Sequence, residues 1–439
     1  AWETYTRCAE DLDRAYDYLL AAGKVRRDAG PGSEGHLTSS DMAYPNGVAA
    51  KALKARCLLY AASELNNLHG QSDWEDAAEA CAEAIRIAEE NGYEMLPFSE
   101  WNSNFYGTKY TNEHIWAWNY GSSKINTSTW SGTFAYPASN YTNASGDCPT
   151  QNFVDRFETL DGDPLLTEAD RAAAAAAGHY NEQDPYTNRD PRLAESIVEF
   201  GTDFCGVVYD PRFDVSQVWD SNAGRNITNP DNIVTASESR LPSRTGLVQR
   251  KGIDKDWTDD YQADPDKIIM RYADVLLMYA EAKIELNEID DATLEAMNRV
   301  RARAYGVQHT ETDQYPAIVT RSQSELRTIL RTERRMEFAF ERLRIYDLLR
   351  WRIAEKVLNY SDWTIKYNAG ANVLKKVMTD GQWFIPTPAI DESGCPEMDA
   401  TFSRENRPHI TALSNRVFNP EIHYLWPLPA TDVLVNKNL

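Results

Sequence analysis

Apolar residues recur at helical spacing in three stretches of the first ninety residues. They lie within 12–20, 48–62 and 74–88, and Gly23 follows the first stretch as a typical helix stop. The last two stretches are rich in alanine, and small side chains allow helices to approach each other closely. Residues 1–97 are therefore expected to be helical, arranged either as helix pairs of the tetratricopeptide kind or as an ordinary bundle.

Helical patterning returns in the second half of the chain. Apolar residues over 266–287 share one face, which predicts a helix there. A second long helix is predicted over 324–358, where apolar residues on more than one face indicate burial. Its arginines and acids must then pair, because an unpaired buried charge is very costly. Asp347 has the i, i+3 spacing for such a pair with Arg344 on one side and with Arg350 on the other. An arginine-rich anion site is the alternative interpretation.

The segment 98–141 breaks the helical pattern. It holds 12 aromatic residues, 12 serines or threonines and 6 asparagines, but only 4 charged residues. A short strand is predicted at 115–120, with long loops around it. Residues 150–265 are also irregular, apart from a short helix at the alanine run 172–177. Long loops in a compact domain are often functional, so 98–265 is expected to contain the ligand region.

Aromatic side chains among neutral polar residues suit a sugar ligand. A sugar ring has an apolar C–H face and a rim of hydroxyls, so its partner is a flat aromatic beside amides and hydroxyls. Four aromatics in predicted helix or strand are expected in the core: Trp101, Phe105, Trp116 and Trp118. Six others, in predicted loops, are expected to bind ligand, with a core role as the alternative. These are Trp130, Phe134, Tyr136, Tyr141, Tyr209 and Trp219.

Charge and cysteine usage narrow the class of protein. The 439 residues carry a net charge of −22, which repels nucleic-acid phosphates and anionic membrane surfaces. No stretch of 18 apolar residues is present that could span a bilayer as a helix. The six cysteines are scattered and form no C-x-x-C motif. Cys57 and Cys81 lie on apolar helical faces and are expected to be buried free thiols, with a disulfide as the alternative.

Catalytic signatures are absent from the sequence. There is no G-x-S-x-G, Walker, G-x-G-x-x-G or H-E-x-x-H motif, and the seven histidines are dispersed. We therefore predict no catalytic residue, no metal site and no cofactor. Loop carboxylates could serve a glycoside hydrolase, although 67 acidic residues make chance pairs common. A helical-repeat scaffold for other proteins is a further alternative.

Five sequence stretches together resemble the SusD/RagB family. They occur in the family's order and spread over most of the chain. They are Pro-Thr-Gln-Asn-Phe-Val-Asp-Arg-Phe at 149–157 with Asp-Gly-Asp-Pro at 161–164, Asn-Arg-Asp-Pro-Arg-Leu at 188–193, 269–282 around Arg-Tyr-Ala-Asp, 331–341 continuing to 347–351, and Tyr-Leu-Trp-Pro-Leu-Pro at 424–429.

This resemblance implies a mainly α, SusD-like fold, with tetratricopeptide-like helix pairs packed against a loop-rich ligand-binding half. It also implies a surface-exposed outer-membrane lipoprotein without enzymatic activity. Such a protein captures oligosaccharides, or in some members peptides, and closes over a SusC-type TonB-dependent transporter. The ligand residues of the family vary between members, so the six candidate aromatics rest on composition alone.

The resemblance also suggests how the chain is organised. A single domain is expected over 1–439, with tetratricopeptide-like helices in 1–97 and the ligand region in 98–265. Core helices are expected in 266–360, followed by loops and short strands in 361–439. Family members begin with a signal peptide, an acylated cysteine and further helices, and no stretch of this sequence resembles that region. We therefore expect a fragment whose only membrane contact is through a missing N-terminal lipid anchor.

Overall fold

Helices dominate the regular structure in the computed structural model of the chain. The structure describes residues 1–25, 44–106, 111–118, 149–181, 184, 186–232, 243, 245–253, 266–366, 372–373, 375–376, 388–389, 396–404, 407, 409–425 and 430–435. The numbered helices are α1 (Trp2–Ala21), α2 (Gly47–Ala62), α3 (Gln71–Glu90), α4 (Gln151–Val154), α5 (Glu168–Ala177), α6 (Arg192–Ser196), α7 (Tyr272–Glu285), α8 (Asp291–Ala304), α9 (Gln323–Glu337), α10 (Arg344–Arg350) and α11 (Ala354–Val357). Further α-helices cover Met398–Arg404 and Ala430–Val435, and short 3-10 helices cover Phe98–Glu100 and Asn102–Phe105. The fold is mainly α, as the sequence predicts.

Within the described residues, the strands form small antiparallel sheets. The strands are β1 (His114–Trp118), β2 (Thr202–Phe204), β3 (Val207–Tyr209), β4 (Gln217–Asp220), β5 (Arg225–Thr228), β6 (Lys267–Arg271), β7 (Ser361–Ile365) and β8 (Ile410–Asn415). β1 pairs with β6, and β7 pairs with β8. The remaining strands form a meander in the order β2-β3-β4-β5.

The three helices predicted in the first ninety residues are confirmed. α1 and α3 end at glycines that the sequence shows: Gly23 and Gly92 both have a positive φ that glycine adopts without strain. The Asn46 side chain caps α2 by accepting a hydrogen bond from the backbone N–H of Ala49 at 3.0 Å. α1 packs against α2, and α2 packs against α3.

The main core lies between α2, α3, α7, α8 and α9. Its α2 and α3 surfaces consist largely of buried alanines, which bring these helices close together, whereas α7 supplies larger side chains such as Leu276 and Met278. α7 is buried on most of its surface and contacts α2, α3, α8 and α9. Trp116 is half-buried against this core, and Trp101 is fully buried, as expected for both.

The predicted helix over 266–287 begins later than the pattern indicates. Lys267–Arg271 is strand β6, and the helix starts only at Tyr272. The β-branched pair Ile268 and Ile269 favours a strand, and β1 provides the partner, with Ala117 opposite Ile268. A partner distant in sequence therefore overrides the helical spacing of these residues.

The predicted helix over 324–358 is broken into three. α9 ends at Glu337, and Phe340 and Arg342 have φ values of 61° and 64°, which no right-handed helix accommodates. The chain turns there, so that Asp347 at the start of α10 accepts a hydrogen bond from Arg334 Nε at 3.0 Å. This ion pair would not form along one straight helix, because the two residues are 13 positions apart.

Two predictions from the sequence concern the cysteines and membrane-spanning helices. Cys57 and Cys81 are free thiols, with Cys81 buried and Cys57 only half-buried. Cys148 and Cys395 lie outside the described residues. Among the helices of the described part, none combines the length and the apolar character that a membrane crossing requires.

Candidate functional site

The structure locates two of the six predicted ligand residues. Trp130, Phe134, Tyr136 and Tyr141 lie outside the described residues. Tyr209 is 0% exposed in β3, and its ring therefore offers no face to a ligand. Trp219 in β4 is 47% exposed. Trp118, expected in the core, is instead 62% exposed, because it occupies the last position of β1 with its side chain turned away from the interior.

Trp219 lies on the outer face of the four-stranded meander. Side chains alternate between the two faces of a strand, so in β4 Val218 is buried and Trp219 points outward. Asn226 of β5 is directly opposite Trp219, and Gln217 is opposite Thr228. Gln217, Asn226 and Thr228 are all exposed. An indole ring is thus surrounded by two amides and a hydroxyl, which both donate and accept hydrogen bonds.

A tight turn joins the first two strands of the meander and contacts the turn between the last two. Cys205 and Gly206 join β2 to β3, and both have positive φ, of 56° and 82°, which is the geometry of a type I′ hairpin. Asn222 Nδ2 donates to the Cys205 carbonyl at 3.2 Å, and Ser221 N donates to the Gly206 carbonyl at 2.7 Å. These bonds join the β2–β3 turn to the β4–β5 turn, so the two hairpins form one rigid unit.

Replacing Gly206 with alanine is expected to destabilise this unit. An added Cβ would lie 2.2 Å from Asn222 Nδ2, so this side chain would have to move away and give up its hydrogen bond to the Cys205 carbonyl. The left-handed backbone adds a cost of about 1–2 kcal/mol for a non-glycine residue. Gly224→Ala is the matched control, because its φ is 63° but no atom lies within 4 Å of the added Cβ. Thermal or denaturant unfolding should show the larger loss for Gly206→Ala. An equal loss for the two variants would contradict the predicted collision.

The inner face of the meander rests on the segment 245–253. Tyr209 donates from its hydroxyl to the Gly246 carbonyl at 2.9 Å. Phe204 and Tyr209 share a small core with Val198, Val248 and other apolar residues. The buried position of Tyr209 is therefore structural: it supports the strand next to the one that presents Trp219.

Lys251 connects this segment to the helical core. Its ammonium donates to the Glu337 carbonyl at 2.8 Å and to Glu341 Oε1 at 2.6 Å, and it lies 4.3 Å from the ring centres of Trp101 and Phe105. Burial lowers the pKa of Lys251 to about 8, against the opposing effect of Glu341. Lys251 thus links the segment 245–253, on which the meander rests, to the end of α9.

A buried ion network lies beneath this connection. Five cations and six carboxylates interlock between α6, β6, α8, α9 and the segments beside them. They are Arg192, Lys251, Arg271, Arg301 and Arg303 with Glu113, Glu158, Asp190, Glu333, Glu337 and Glu341. Burial opposes the charge on Glu337, but Arg303, Arg271 and Arg192 hold its pKa well below the usual range.

A second cluster joins α2, α7, α9 and α10. Arg56 and Arg334 contact the two oxygens of Asp274 at 2.6 and 3.0 Å, and Arg350 contacts Asp347 at 2.8 Å. The predicted pairing of Asp347 with Arg350 is thereby confirmed. Arg350 also pairs with Glu281 at 2.7 Å. Arg334 and Arg350 are each paired with carboxylates. For the arginines of 324–358, the structure therefore favours a structural ion network rather than an anion-binding site.

Two of the loop carboxylates, Glu158 and Asp163, have protein partners. Glu158 lies 3.0 Å from Arg301, and burial raises the pKa of Glu158. Asp163 accepts from Thr159 Oγ1 at 2.9 Å and lies 2.7 Å from His179 Nδ1. Among the described residues, no group of three or more histidine, cysteine or acidic side chains is arranged to hold a metal ion. Four further loop carboxylates, Asp254, Asp256, Asp259 and Asp260, lie outside the described residues.

Gln217, Asn226 and Thr228 were not among the residues predicted from the sequence. The one local signal is the run Ser-Asn-Ala-Gly at 221–224, which is typical of a turn. The strands on either side are only four residues long, and their polar and apolar residues do not alternate. The outward position of these side chains therefore follows only from the strand pairing.

Comparison with known proteins identifies the class of this fold. The family model of the SusD family matches residues 112–439. A SusD-like carbohydrate-binding protein from Bacteroides fragilis superimposes with a TM-score of 0.63 at 23% identity, covering 98% of this chain and 71% of that one. Another SusD-like protein from Bacteroides fragilis gives 0.61 at 22% identity, with 98% and 69% covered. These likenesses show a shared fold.

A curated relative agrees with that class. SusD-like protein P2 of Formosa agariphila is 28% identical over 242 residues, which are 51% of this chain and 46% of the relative. The match thus spans less than half the length of that relative. Because the family model covers most of the chain, the chain belongs to the SusD family. The resemblance found in the sequence is confirmed.

Proposed function

We propose that this chain is a cell-surface glycan-binding protein that captures oligosaccharides and delivers them to a SusC-type TonB-dependent transporter. The observation that carries the proposal is the family match over residues 112–439. A solved neighbour of the same fold is itself described as a carbohydrate-binding protein. The family resemblance also implies an outer-membrane lipoprotein, exposed at the cell surface and held there by an N-terminal lipid anchor.

Local chemistry favours an uncharged ligand over other classes. The segment 98–141 combines 12 aromatic residues with only 4 charges, in a chain of net charge −22. Aromatic rings beside amides and hydroxyls match the two surfaces of a sugar. Nucleic acid is disfavoured by the same negative charge. We propose that the protein binds its ligand and leaves it chemically unchanged.

The proposed site combines aromatics from the sequence and from the structure. The proposed ligand contacts are Trp219, on the outer face of the meander, and four aromatics from the sequence: Trp130, Phe134, Tyr136 and Tyr141. Tyr209 is left out, because its buried hydroxyl bonds to Gly246. In this proposal the helices in 1–97 and 266–360 form the scaffold, and 98–265 forms the ligand region of a single domain.

Calorimetry against an array of neutral oligosaccharides tests the proposal. We expect saturable binding to at least one of them, and the double variant Trp130→Ala with Tyr136→Ala should weaken it by about 10-fold or more. Tyr18→Ala is the matched control, because Tyr18 is an aromatic residue on α1 that is 77% exposed. It should leave the affinity unchanged.

Two outcomes would contradict the proposed function, and a third would contradict the proposed site. Peptides that bind while no oligosaccharide does would indicate the peptide-binding type of member. Shortened products after incubation would indicate a hydrolase that uses its loop carboxylates. Equal affinity of the wild type and the double variant would remove the two substituted aromatics from the site.

A further inference from the structure

We propose that the outer face of the β2–β5 meander is a binding strip for uncharged sugar units. In this strip Trp219 stacks on the ring of one sugar, while Gln217, Asn226 and Thr228 exchange hydrogen bonds with its hydroxyls or with those of the neighbouring unit. This inference rests on the proposed function, and it specifies the ligand class and a set of contacts that the aromatic composition alone does not give.

The register of the sheet brings these four side chains together. Trp219 and Asn226 are directly opposite each other, as are Gln217 and Thr228 two positions along. Opposite residues have Cβ atoms about 4.5–5.5 Å apart, and two positions along a strand correspond to about 7 Å. One aromatic and three hydrogen-bonding side chains therefore share a patch of the size of one or two sugar rings.

The patch is rigid, which favours binding by preorganisation. Trp219 sits between Val218, which is buried, and Asp220, whose Oδ1 accepts from Ala223 N at 2.9 Å in the adjacent turn. The next strand, β3, is fixed from below by the bond from Tyr209 to Gly246. Little conformational entropy is then lost when a ligand covers the indole ring.

The charges of the outer face select a neutral ligand. Of its positions in the described strands, 203, 208, 217, 219, 226 and 228, only Asp203 is charged. Its carboxylate already accepts from Gly206 N at 3.2 Å and from Ser221 Oγ at 2.9 Å. At these six described positions a uronate or sulfated sugar would meet no arginine or lysine, and the net charge of −22 would repel it.

A peptide would use a different part of the same sheet. β5 is an edge strand of the meander, and peptides commonly add to such an edge through main-chain hydrogen bonds. Those bonds do not require the Trp219 ring. Dependence on Trp219 therefore separates the two ligand classes.

Calorimetric titration with neutral hexasaccharides tests the strip in the full chain. The probes are maltohexaose, cellohexaose, xylohexaose and mannohexaose, with hexagalacturonate as the anionic counterpart. We expect Trp219→Ala to weaken neutral binding by about 30-fold, and Trp219→Phe to keep most of it, because a phenyl ring still stacks. Asn226→Ala should weaken it by about 3- to 10-fold, the loss of one or two hydrogen bonds.

Controls separate failure of the strip from failure of the proposed function. Tyr18→Ala removes an exposed aromatic elsewhere and should change nothing, and circular dichroism reports whether each variant is folded. Tight neutral binding that survives Trp219→Ala would overturn the strip and leave the proposed function standing. Absence of any neutral binding by the wild type would overturn both, and preference for hexagalacturonate or for peptides would overturn the neutral assignment.

Discussion

Arg271→Ala is expected to lower the free energy of unfolding by about 3–5 kcal/mol, because it removes a counter-ion shared by three carboxylates in the buried network. Arg271 lies at the centre of the buried ion network. Its guanidinium contacts Glu113 at 2.6 Å, Glu337 at 2.6 Å and Glu341 at 2.8 Å, and it is only 1% exposed. Denaturant unfolding at neutral pH measures the loss.

Arg86→Ala is the matched control for this prediction. Arg86 pairs with Glu90 one helical turn away, but both side chains are largely exposed to water. Exposed pairs contribute little, so this variant should leave the free energy of unfolding almost unchanged. A similar loss of unfolding free energy in Arg271→Ala and Arg86→Ala would contradict the prediction that the buried pairs contribute more to stability than the exposed pair.

Acid is expected to destabilise the protein through the second cluster. Burial alone would raise the pKa of Asp274, but Arg56 and Arg334 lower it from 3.8 to about 2. A carboxyl whose pKa is lower in the folded state stabilises the fold above its unfolded pKa, and loses that contribution as pH falls through the folded value. The window is therefore about pH 4 to 2, and Asp274 alone accounts for about 2 kcal/mol.

Denaturant unfolding at several pH values between 5 and 2 checks this expectation. Burial opposes ionisation of Glu337 and Asp347, but their arginine partners outweigh it and lower the pKa of both. The total loss of unfolding free energy in acid should therefore exceed the contribution of Asp274. Asp274→Asn should be less stable at neutral pH and should show a smaller further loss in acid. A variant with the same acid dependence as the wild type would contradict the assignment.

Local signals predicted the helical half of the fold. α1, α2 and α3 each combine a sustained apolar stripe with a start or stop residue, such as Asn46 or Gly23, and these act within one turn of helix. The expected pairing of Asp347 with Arg350 is likewise local, since the two are three residues apart. The five ordered motifs then specified the family.

Long-range contacts determined what the sequence interpretation missed. β6 is a strand because β1 pairs with it, and α9 ends where the chain turns to bring Asp347 to Arg334. α8 was not predicted, although Asp290 caps it at the Thr293 amide. The outer face around Trp219 became recognisable only once the register of β4 and β5 was known.

Amide hydrogen exchange of the whole chain, with and without a bound neutral oligosaccharide, tests the central claim most directly. The claim is that the loop-rich region 98–265 binds the glycan while the helices support it. We predict slower exchange in the ligand complex within 98–265, including 217–228, with α1 to α3 unchanged. Slower exchange confined to α1, α2 and α3, or no change anywhere in the presence of saturating oligosaccharide, would contradict it.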